Sequence, residues 1–410
     1  MRQPRLRFVT VTTIIALVSL GATAHARQET LVFTGATVID GTGTQPLSNA
    51  TIVVIDGKIA RIGTGAVPQD GRRVDLSGRY VMPGLIDAHV HINNFAAARR
   101  ALMSGVTTAR SMGTGFFADV GLRDLAKKGR IDAPELLAAG YHVRPEPAEG
   151  LFIDNPSLAD LMETGVRDAA SLRRVARTMI ERGVDFIKTN ATARAGLPNT
   201  DPREPYYDET LLRALVEEAG NAGIPVAAHA HGDTGGRAAV LAGVRSIEHG
   251  TYLSEETLRL MQERNTYLVP TIAVVRDLTL PGGDYDNPLL EVRGRHMLPR
   301  VRETAATAYR IGVPIVAATD TGYGPGSVLR LSHELIELVD IGLMPMEAIR
   351  AATAVAAELL RVEDHTGTLV AGHEADFIVM ERNPAEDIGA VQDLLMVVSN
   401  GVIVLDRTAY

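Results

Sequence analysis

The sequence predicts an α/β protein, a (β/α)8 TIM-like barrel with a small discontinuous β-sandwich domain. Three observations lead to this prediction. The chain has 410 residues, which is long enough for one large barrel and an accessory domain. Its middle part alternates apolar strand-like segments with amphipathic helical ones, as a parallel sheet requires. The two ends of the remaining chain carry short β-patterned segments, and neither end has enough strands for a stable sheet.

The first 26 residues carry the pattern of a secretory signal peptide. Three arginines within the first seven residues precede an apolar run over 8–24, and Ala24 and Ala26 mark a small-residue cleavage site. An uncleaved membrane anchor is the alternative, but the apolar run is only marginally long enough to span a bilayer. The sequence contains no cysteine, which excludes a lipoprotein anchor, disulfides and thiolate chemistry. We therefore expect an exported protein, periplasmic or secreted.

The charge balance argues against polyanionic partners. Removing the leader takes three of the 41 basic residues away and leaves 38 against 49 acidic ones, a net charge of −11. Such a balance disfavours nucleic acid and anionic membrane surfaces as partners. A small-molecule substrate is the better expectation.

Residues 27–80 and 366–410 form the predicted β-sandwich domain. The N-terminal part contains a good hairpin signal at Asp56-Gly57, and the C-terminal part contains a turn at Asn400-Gly401. Strands are predicted over 31–33, 37–39, 50–55, 58–62, 367–370, 375–380 and 396–405. Because neither part is a complete sheet, we predict that the two parts pair with each other.

Residues 81–365 form the predicted barrel. Eight strands are predicted, over 81–91, 106–112, 135–143, 185–191, 225–231, 246–250, 267–274 and 314–320. Amphipathic helices separate most of them, for example over 96–103, 170–182, 208–222 and 300–311. Eight β/α units over about 280 residues match the size of a (β/α)8 barrel.

Polar side chains stand at the C-terminal ends of these strands, where a barrel of this type has its active site. His89 and His91 end the first strand, and residues two apart on a strand face the same side, so both can point at one metal ion. The remaining strand-end residues are Lys188 on the fourth strand, His229 and His231 on the fifth, His249 on the sixth and Asp320 on the eighth. Five of the eleven histidines thus fall on one face, which favours a metal site over unrelated structural histidines.

Lys188 is the unusual member of this set, because it places an amine in an apolar strand. An unpaired buried cation is costly, so one interpretation is a buried salt bridge. Beside five imidazoles and a carboxylate, however, an ammonium group would repel a metal ion. Carboxylation of the amine by carbon dioxide would instead give an anionic oxygen ligand that can bridge two ions.

With these residues in place, the chain resembles the amidohydrolase superfamily, in its branch of prolidase-like and ochratoxinase-like metal-dependent amidases. The matching segments are 81–91 (VMPGLIDAHVH), 186–189 (FIKT), 226–232 (VAAHAHG), 246–250 (SIEHG), 318–322 (ATDTG) and 367–378 (GTLVAGHEADFI). The resemblance implies two divalent metal ions and an N6-carboxylated Lys188 that bridges them. It implies one ion held by His89, His91 and Asp320, and a second held by His229 and His249. Imidazole and carboxylate ligands favour zinc.

The same resemblance suggests roles for the other polar residues. Asp320 is the expected general base and acid, and the family's spacing makes His229 the ligand and His231 a substrate contact. The oxyanion would be stabilised by His231 or by the ion near His229 and His249. His142 lies where the family often has Gly-Gly-His, whereas this sequence has Gly-Tyr-His, so its substrate role is weaker. Arg144 and Tyr252 are candidates to hold a substrate carboxylate, with surface loop residues as the alternative.

The resemblance implies hydrolysis of the amide between an acyl group and a C-terminal amino acid, in carboxypeptidase or dipeptidase style. Ochratoxin A, which would yield ochratoxin alpha and L-phenylalanine, is a specific candidate substrate. Alternatives are a Xaa-Pro dipeptidase, a cyclic-amide hydrolase of the imidazolonepropionase type and, outside enzymes, a scaffold protein. A homo-oligomer is expected from the resemblance alone.

Overall fold

The computed structural model describes residues 30–66, 68–197 and 199–408. The predicted signal peptide, residues 1–26, lies outside these described residues. Within the described ranges, no helix has both the length and the apolar composition that crossing a membrane requires.

The chain forms fifteen strands and thirteen α-helices over the described residues. The strands are β1 (Leu31–Val38), β2 (Leu47–Ile55), β3 (Lys58–Gly63), β4 (Arg72–Asp75), β5 (Tyr80–Pro83), β6 (Leu85–Val90), β7 (Val106–Ser111), β8 (Glu135–Ala138), β9 (Ile187–Asn190), β10 (Val226–Gly232), β11 (Ser246–Tyr252), β12 (Tyr267–Val269), β13 (Phe377–Met380), β14 (Leu394–Ser399) and β15 (Val402–Asp406). The helices are α1 (Phe95–Met103), α2 (Ala118–Lys127), α3 (Glu149–Asp154), α4 (Leu161–Thr164), α5 (Ala169–Glu181), α6 (Glu209–Asn221), α7 (Asp233–Ala242), α8 (Glu255–Arg264), α9 (Ile272–Asp277), α10 (Pro288–Ile311), α11 (Leu331–Asp340), α12 (Pro345–Ala351) and α13 (Ala354–Leu360).

Strands from both ends of the chain form one sheet in the order β15-β14-β13-β5-β1-β2-β3, with β4 beside β1. One face of these strands buries a single apolar cluster, in which the rings of Phe33 and Phe377 meet edge to face with centroids 4.9 Å apart. The sheet also curls back on itself, because the Ile59 amide donates to the His373 carbonyl, 2.9 Å away. The predicted sandwich is therefore one continuous curled sheet that closes over its own core.

The remaining strands form the barrel. β6 to β8 make one parallel sheet and β9 to β12 another. Three isolated parallel bridges connect these sheets and the extended segment 314–321 in ring order: Val143 with Thr189, Leu268 with Ile315, and Val90 with Thr321. Eight parallel strand positions result, and the predicted (β/α)8 fold class is confirmed.

The predicted strand over 81–91 is in fact two strands. β5 pairs with β1 and β13 in the small sheet, and only β6 belongs to the barrel. The chain changes sheets at Gly84, where a Cβ atom would lie 2.2 Å from the hydroxyl of Thr107. Apolar residues continue on both sides of Pro83-Gly84 and hide this break, since both strands are buried.

Two further boundaries differ from the prediction for local reasons. The seventh strand ends at Val269 instead of residue 274, because Thr271 has φ +49° and α9 begins directly after it. The predicted helix over 300–311 is the second half of α10, which continues through Pro299. A proline normally interrupts a helix, and the predicted helix begins directly after Pro299.

Side-chain caps fix where several outer helices begin. Asp168 accepts from the Ser171 amide at 2.7 Å, and Asp208 accepts from the Leu211 amide at 2.9 Å. Such caps satisfy amides that the first helical turn leaves without partners. The helices then bury their apolar faces against the strands in one large core cluster, which leaves the C-terminal strand ends around an open mouth.

Candidate active site

The first group of candidate ligands lies where β6 meets the segment 314–321. Asp320 Oδ1 is 3.3 Å from His89 Nε2 and 3.1 Å from His91 Nε2. The Asp320 amide donates to the His89 carbonyl at 2.7 Å, which joins the two strand ends. One carboxylate and two imidazoles thus converge closely enough to hold one metal ion.

Both histidines present the nitrogen that a metal ion needs. His89 Nδ1 donates to the Glu248 carboxylate and His91 Nδ1 donates to the Gly113 carbonyl, each at 2.9 Å. Since these acceptors place the ring proton on Nδ1, the Nε2 lone pairs are free.

The second group contains three imidazoles, from β10 and β11. The ring centroid of His249 lies 4.7 Å from that of His229 and 4.8 Å from that of His231. His229 Nε2 donates to the Ala193 carbonyl at 3.2 Å, which leaves its Nδ1 free. All three imidazoles can share one ion, so the choice of His229 over His231 stays a prediction.

Three consecutive strand ends at this mouth adopt the left-handed backbone region without glycine. His249 has φ +71°, Thr271 has φ +49° and Asp320 has φ +57°. Such conformations cost free energy and persist where the surroundings enforce them. Here Glu334 accepts from the amides of Ile272 and Ala273 at 3.0 and 2.7 Å and fixes the turn at Thr271, whose hydroxyl contacts His249 Nδ1 at 2.8 Å. These backbone conformations orient two predicted ligands, His249 and Asp320, toward the cavity.

Lys188 lines the same cavity as the two groups and is only 1% exposed. Its Nζ has no hydrogen-bond partner among the described residues, so no salt bridge explains it. Burial lowers the pKa of this amine to about 8, which favours the neutral, nucleophilic form. A buried amine without a partner, beside two groups of ligands, fits the predicted carboxylated lysine and a pair of divalent ions.

The protein environment also places the candidate metal ligands in the ionisation states that bind metal ions. Burial lowers the pKa of His229 and His249 well below the ordinary value, and that of His231 to about 3, so these rings are neutral. Burial alone would raise the pKa of Asp320, but His89 and His91 hold it well below its usual range. Neutral imidazoles and an ionised carboxylate are the forms that bind metal ions.

Glu248 is a buried carboxylate that the sequence did not single out. Besides His89, it accepts from the Arg110 guanidinium at 2.9 Å and from the Ser246 hydroxyl at 2.6 Å. Replacing Glu248 with Gln should lower metal affinity about 10- to 100-fold, because the acceptor that orients His89 would lose its charge. Titration of metal-free protein with zinc measures this. Glu255→Gln, an exposed change on α8, is the control, and equal affinities for the two variants would contradict the role of Glu248.

A cavity of about 160 Å³ opens above the two ligand groups. Its lining combines the candidate ligands with a cation, a phenol and an apolar wall: His89, His91, His142, Lys188, Arg194, Ala195, Gly196, His229, His231, His249, Val274, Val275, Leu278, Tyr285, Leu290, Met297 and Asp320. All six predicted metal ligands and His231 therefore share one cavity.

Besides His231, two further predicted substrate contacts lie at or beside this cavity. His142 lines it, and its Nδ1 is 3.1 Å from the Asn190 side-chain oxygen. Arg144 lines an adjoining cavity of about 150 Å³, which shares His142 and Arg194 with the first. The Nε of Arg144 is buried without a hydrogen-bond partner among the described residues.

Tyr252 does not lie at the metal-ligand cavity. It lines a separate cavity of about 510 Å³ with His296, whose ring centroid is 6.1 Å away. The reason is the alternation of strand side chains: Thr251 faces inward, where its hydroxyl contacts His231 Nδ1 at 2.8 Å, so the next residue faces outward. The expected substrate contact at Tyr252 is corrected accordingly.

Sequence reasoning missed two polar residues that line the cavity. Arg194 follows β9 in the loop before α6, where the strand pattern gives no direction for a side chain. Tyr285 lies in the loop after α9, and its hydroxyl donates to the Asp320 carbonyl at 3.0 Å. Only the folded loops bring these residues to the strand ends.

Comparison with known proteins agrees with this geometry. The amidohydrolase family model matches residues 80–404. Ochratoxinase from Aspergillus niger is 29% identical over 91% of this chain and 85% of its own, and its crystal structure has a TM-score of 0.78. A crystal structure of a Xaa-Pro dipeptidase with bound methionine has a TM-score of 0.80 at 27% identity, covering 91% of this chain and 99% of that chain. Imidazolonepropionase from Klebsiella pneumoniae is 28% identical over 83% of this chain and 88% of its own.

Proposed function

The chain belongs to the amidohydrolase family and is a hydrolase of amide bonds, and we propose that it cleaves the amide between an acyl group and a C-terminal amino acid, using two metal ions. One observation carries this proposal: the cavity that holds both ligand groups also contains Arg194, a cation suited to a free carboxylate. The relatives named ochratoxinase and Xaa-Pro dipeptidase support the same type of substrate.

His89, His91 and Asp320 would hold one ion, and His229 and His249 the other, with carboxylated Lys188 shared between them. Zinc is the proposed metal, since nitrogen and oxygen ligands at open sites suit it. When bound, such ions make water nucleophilic near neutral pH and polarise the scissile carbonyl.

The protein's own side chains handle the protons. Asp320, ionised and next to the ligands, accepts the proton of the attacking water and passes it to the leaving nitrogen. His231 contacts the Thr251 hydroxyl through Nδ1, and a hydroxyl can donate or accept. If Thr251 donates, His231 carries its proton on Nε2 and can donate to the carbonyl oxygen as negative charge develops there.

The substrate carboxylate would bind the two guanidinium groups on the side of the cavity near His142. Guanidinium groups form strong paired hydrogen bonds with carboxylates, and the Arg144 Nε has no other partner among the described residues. This arrangement requires substrates with a free C-terminal carboxylate.

Replacing Arg194 with Met should raise KM for N-acyl amino acids about 10- to 100-fold, since one charged hydrogen-bonding group is lost. The same substrates with an amidated C-terminus should be hydrolysed equally by both proteins. Arg203→Met, which removes an exposed arginine paired with Asp201, is the control. A uniform loss on free and amidated substrates would contradict carboxylate binding by Arg194.

The proposed function is tested directly with purified, zinc-loaded protein. We expect release of L-phenylalanine from ochratoxin A or of free amino acids from a panel of N-acyl amino acids and Xaa-Pro dipeptides. If all these stayed intact while a cyclic amide such as imidazolone propionate was opened, the imidazolonepropionase alternative would replace the proposal.

A further inference from the structure

One continuous segment, residues 272–297, supplies almost all of the apolar lining of the metal-ligand cavity. We call it the arch; it consists of α9, the loop over 278–287 and the first turns of α10. Its cavity-lining apolar residues are Val274, Val275, Leu278, Leu290 and Met297. A single structural unit therefore determines the apolar surface that a substrate meets.

Asp284 fastens one edge of the arch to the segment that follows the eighth strand position. Its carboxylate accepts from the hydroxyls of Thr321 and Ser327 at 2.8 and 2.5 Å, and from the amides of Val328 and Leu329 at 2.7 and 3.3 Å. Four donors on one carboxylate fix the loop over 278–287 beside Asp320.

Arg293 fastens the other edge to the loop after β9. Its guanidinium donates to the carbonyls of Ala195, Leu197 and Thr200, the latter two at 2.6 and 2.7 Å. The arch thus begins after the seventh strand and reaches across to the loop of the fourth. Together, the two anchors hold it over the mouth of the barrel.

The positions of strands around the ring separate the apolar lining from the cationic one. Arg144 follows the third strand position and Arg194 the fourth, whereas the arch emerges after the seventh. In a ring of eight strands, the third and seventh positions are opposite each other. The end of the substrate that carries the carboxylate and the end that contacts the base of the arch therefore lie on opposite sides.

We propose that the arch is the acyl-specificity element of this enzyme. The apolar part of the acyl group packs against Val274, Val275 and Leu278 at the base of the arch, and the amino-acid half extends toward Arg194. This inference rests on the proposed function, because it assigns the two halves of an N-acyl amino acid to two walls of the cavity. It favours substrates with a bulky apolar acyl group over N-acetyl ones.

Two leucines at the base of the arch give a matched test. Leu278 lines the cavity, whereas Leu280 is 47% exposed. Leu278→Ala should lower kcat/KM roughly 10-fold for N-benzoyl- and N-hexanoyl-phenylalanine, because lost methyl groups in an apolar pocket weaken transition-state binding. N-acetyl-phenylalanine should lose much less, and Leu280→Ala should match the wild type on every substrate.

The amino-acid half is varied in the same experiment, with N-benzoyl-glycine, N-benzoyl-alanine and N-benzoyl-phenylalanine. We expect the loss in Leu278→Ala to be the same for all three. A loss that follows the amino-acid side chain, or one equally large on N-acetyl-phenylalanine, would overturn the assignment of the acyl group to the arch.

The anchoring role of Asp284 is tested without any substrate. Asp284→Asn should speed proteolytic cleavage within 278–287 several-fold, whereas Asp286→Asn, an exposed change in the same loop, should not. Equal cleavage of the two variants would overturn the anchor. If the wild type hydrolyses no N-acyl amino acid, the proposed function and the acyl assignment both fail, while proteolysis still decides whether Asp284 holds the arch.

Discussion

Replacing Lys188 with Met should reduce hydrolysis by roughly 1,000-fold or more, since the expected bridging ligand contributes several kcal/mol to transition-state stabilisation. The variant should also bind fewer than two ions per chain. Methionine is unbranched and apolar, so it fills the buried position and should leave the barrel folded. Turnover, elemental analysis of bound metal and thermal unfolding followed by circular dichroism check the three parts of this prediction.

Carboxylation of Lys188 has a further consequence that separates it from a purely structural amine. Burial lowers the pKa of Lys188 to about 8, and only the neutral amine attacks carbon dioxide. The competent fraction therefore grows as the pH rises toward and through this value. We expect metal-free protein, mixed with zinc at a fixed concentration of dissolved carbon dioxide, to regain activity faster at a pH near 8 than near 6.

Removal of carbon dioxide provides the control for this mechanism. Metal-free protein that is reactivated in carbon dioxide-free buffer should stay inactive until bicarbonate is added. Carbon-13 bicarbonate should then give a carbamate resonance in the wild type that Lys188→Met lacks. Rapid and full reactivation without carbon dioxide would show that the amine is not modified.

The set of predicted ligands was accessible from the sequence because strand geometry alone brings it together. All C-terminal strand ends of a parallel barrel meet at one mouth, so residues far apart in sequence such as His89, Lys188 and Asp320 become neighbours. Because His89 and His91 are two residues apart on a strand, their side chains point to the same face of that strand. The positions of the strands, which the apolar periodicity predicts, are therefore enough to bring these side chains together.

The groups that orient the ligands were not predictable in the same way. Glu248 contacts His89 across the barrel interior, and Glu334 reaches the strained turn at Thr271 from α11. Such contacts depend on which layer of the barrel a side chain enters and on helix packing, neither of which the strand pattern specifies. The left-handed conformations of His249 and Asp320 depend on those same tertiary contacts.

Residues near the strand ends show where prediction from the sequence fails. Tyr252 is a candidate carboxylate contact in the sequence, yet Thr251 faces inward toward His231 and Tyr252 therefore faces outward. The inward and outward alternation cannot be counted from His249, because His249 and Gly250 both have positive φ. Arg194 and Tyr285 offer no such count, because their loops have no regular period. Their positions follow from the anchors of the arch, which join segments that are distant in sequence.

Replacing Asp320 with Asn should lower kcat about 100- to 10,000-fold, the range that a positioned general acid and base contributes. Asparagine keeps an oxygen beside His89 and His91 but cannot take up the proton of the attacking water. We therefore expect the loss of turnover to persist in excess zinc, where the weakened site is filled and metal content is close to that of the wild type. Asp340→Asn, an exposed change at the end of α11, is the matched control and should behave as the wild type.

The leaving group distinguishes proton transfer by Asp320 from simple ligation. An amino-acid leaving group departs only if its nitrogen is protonated, whereas a nitroanilide nitrogen departs with little help. If Asp320 delivers that proton, the deficit of Asp320→Asn should be several-fold smaller on an N-acyl nitroanilide that carries a carboxylate than on the matching N-acyl amino acid. A deficit of equal size on both substrates would mean that Asp320 contributes through the metal ion alone, and the proton to the leaving nitrogen would then have to come from His231 or from solvent.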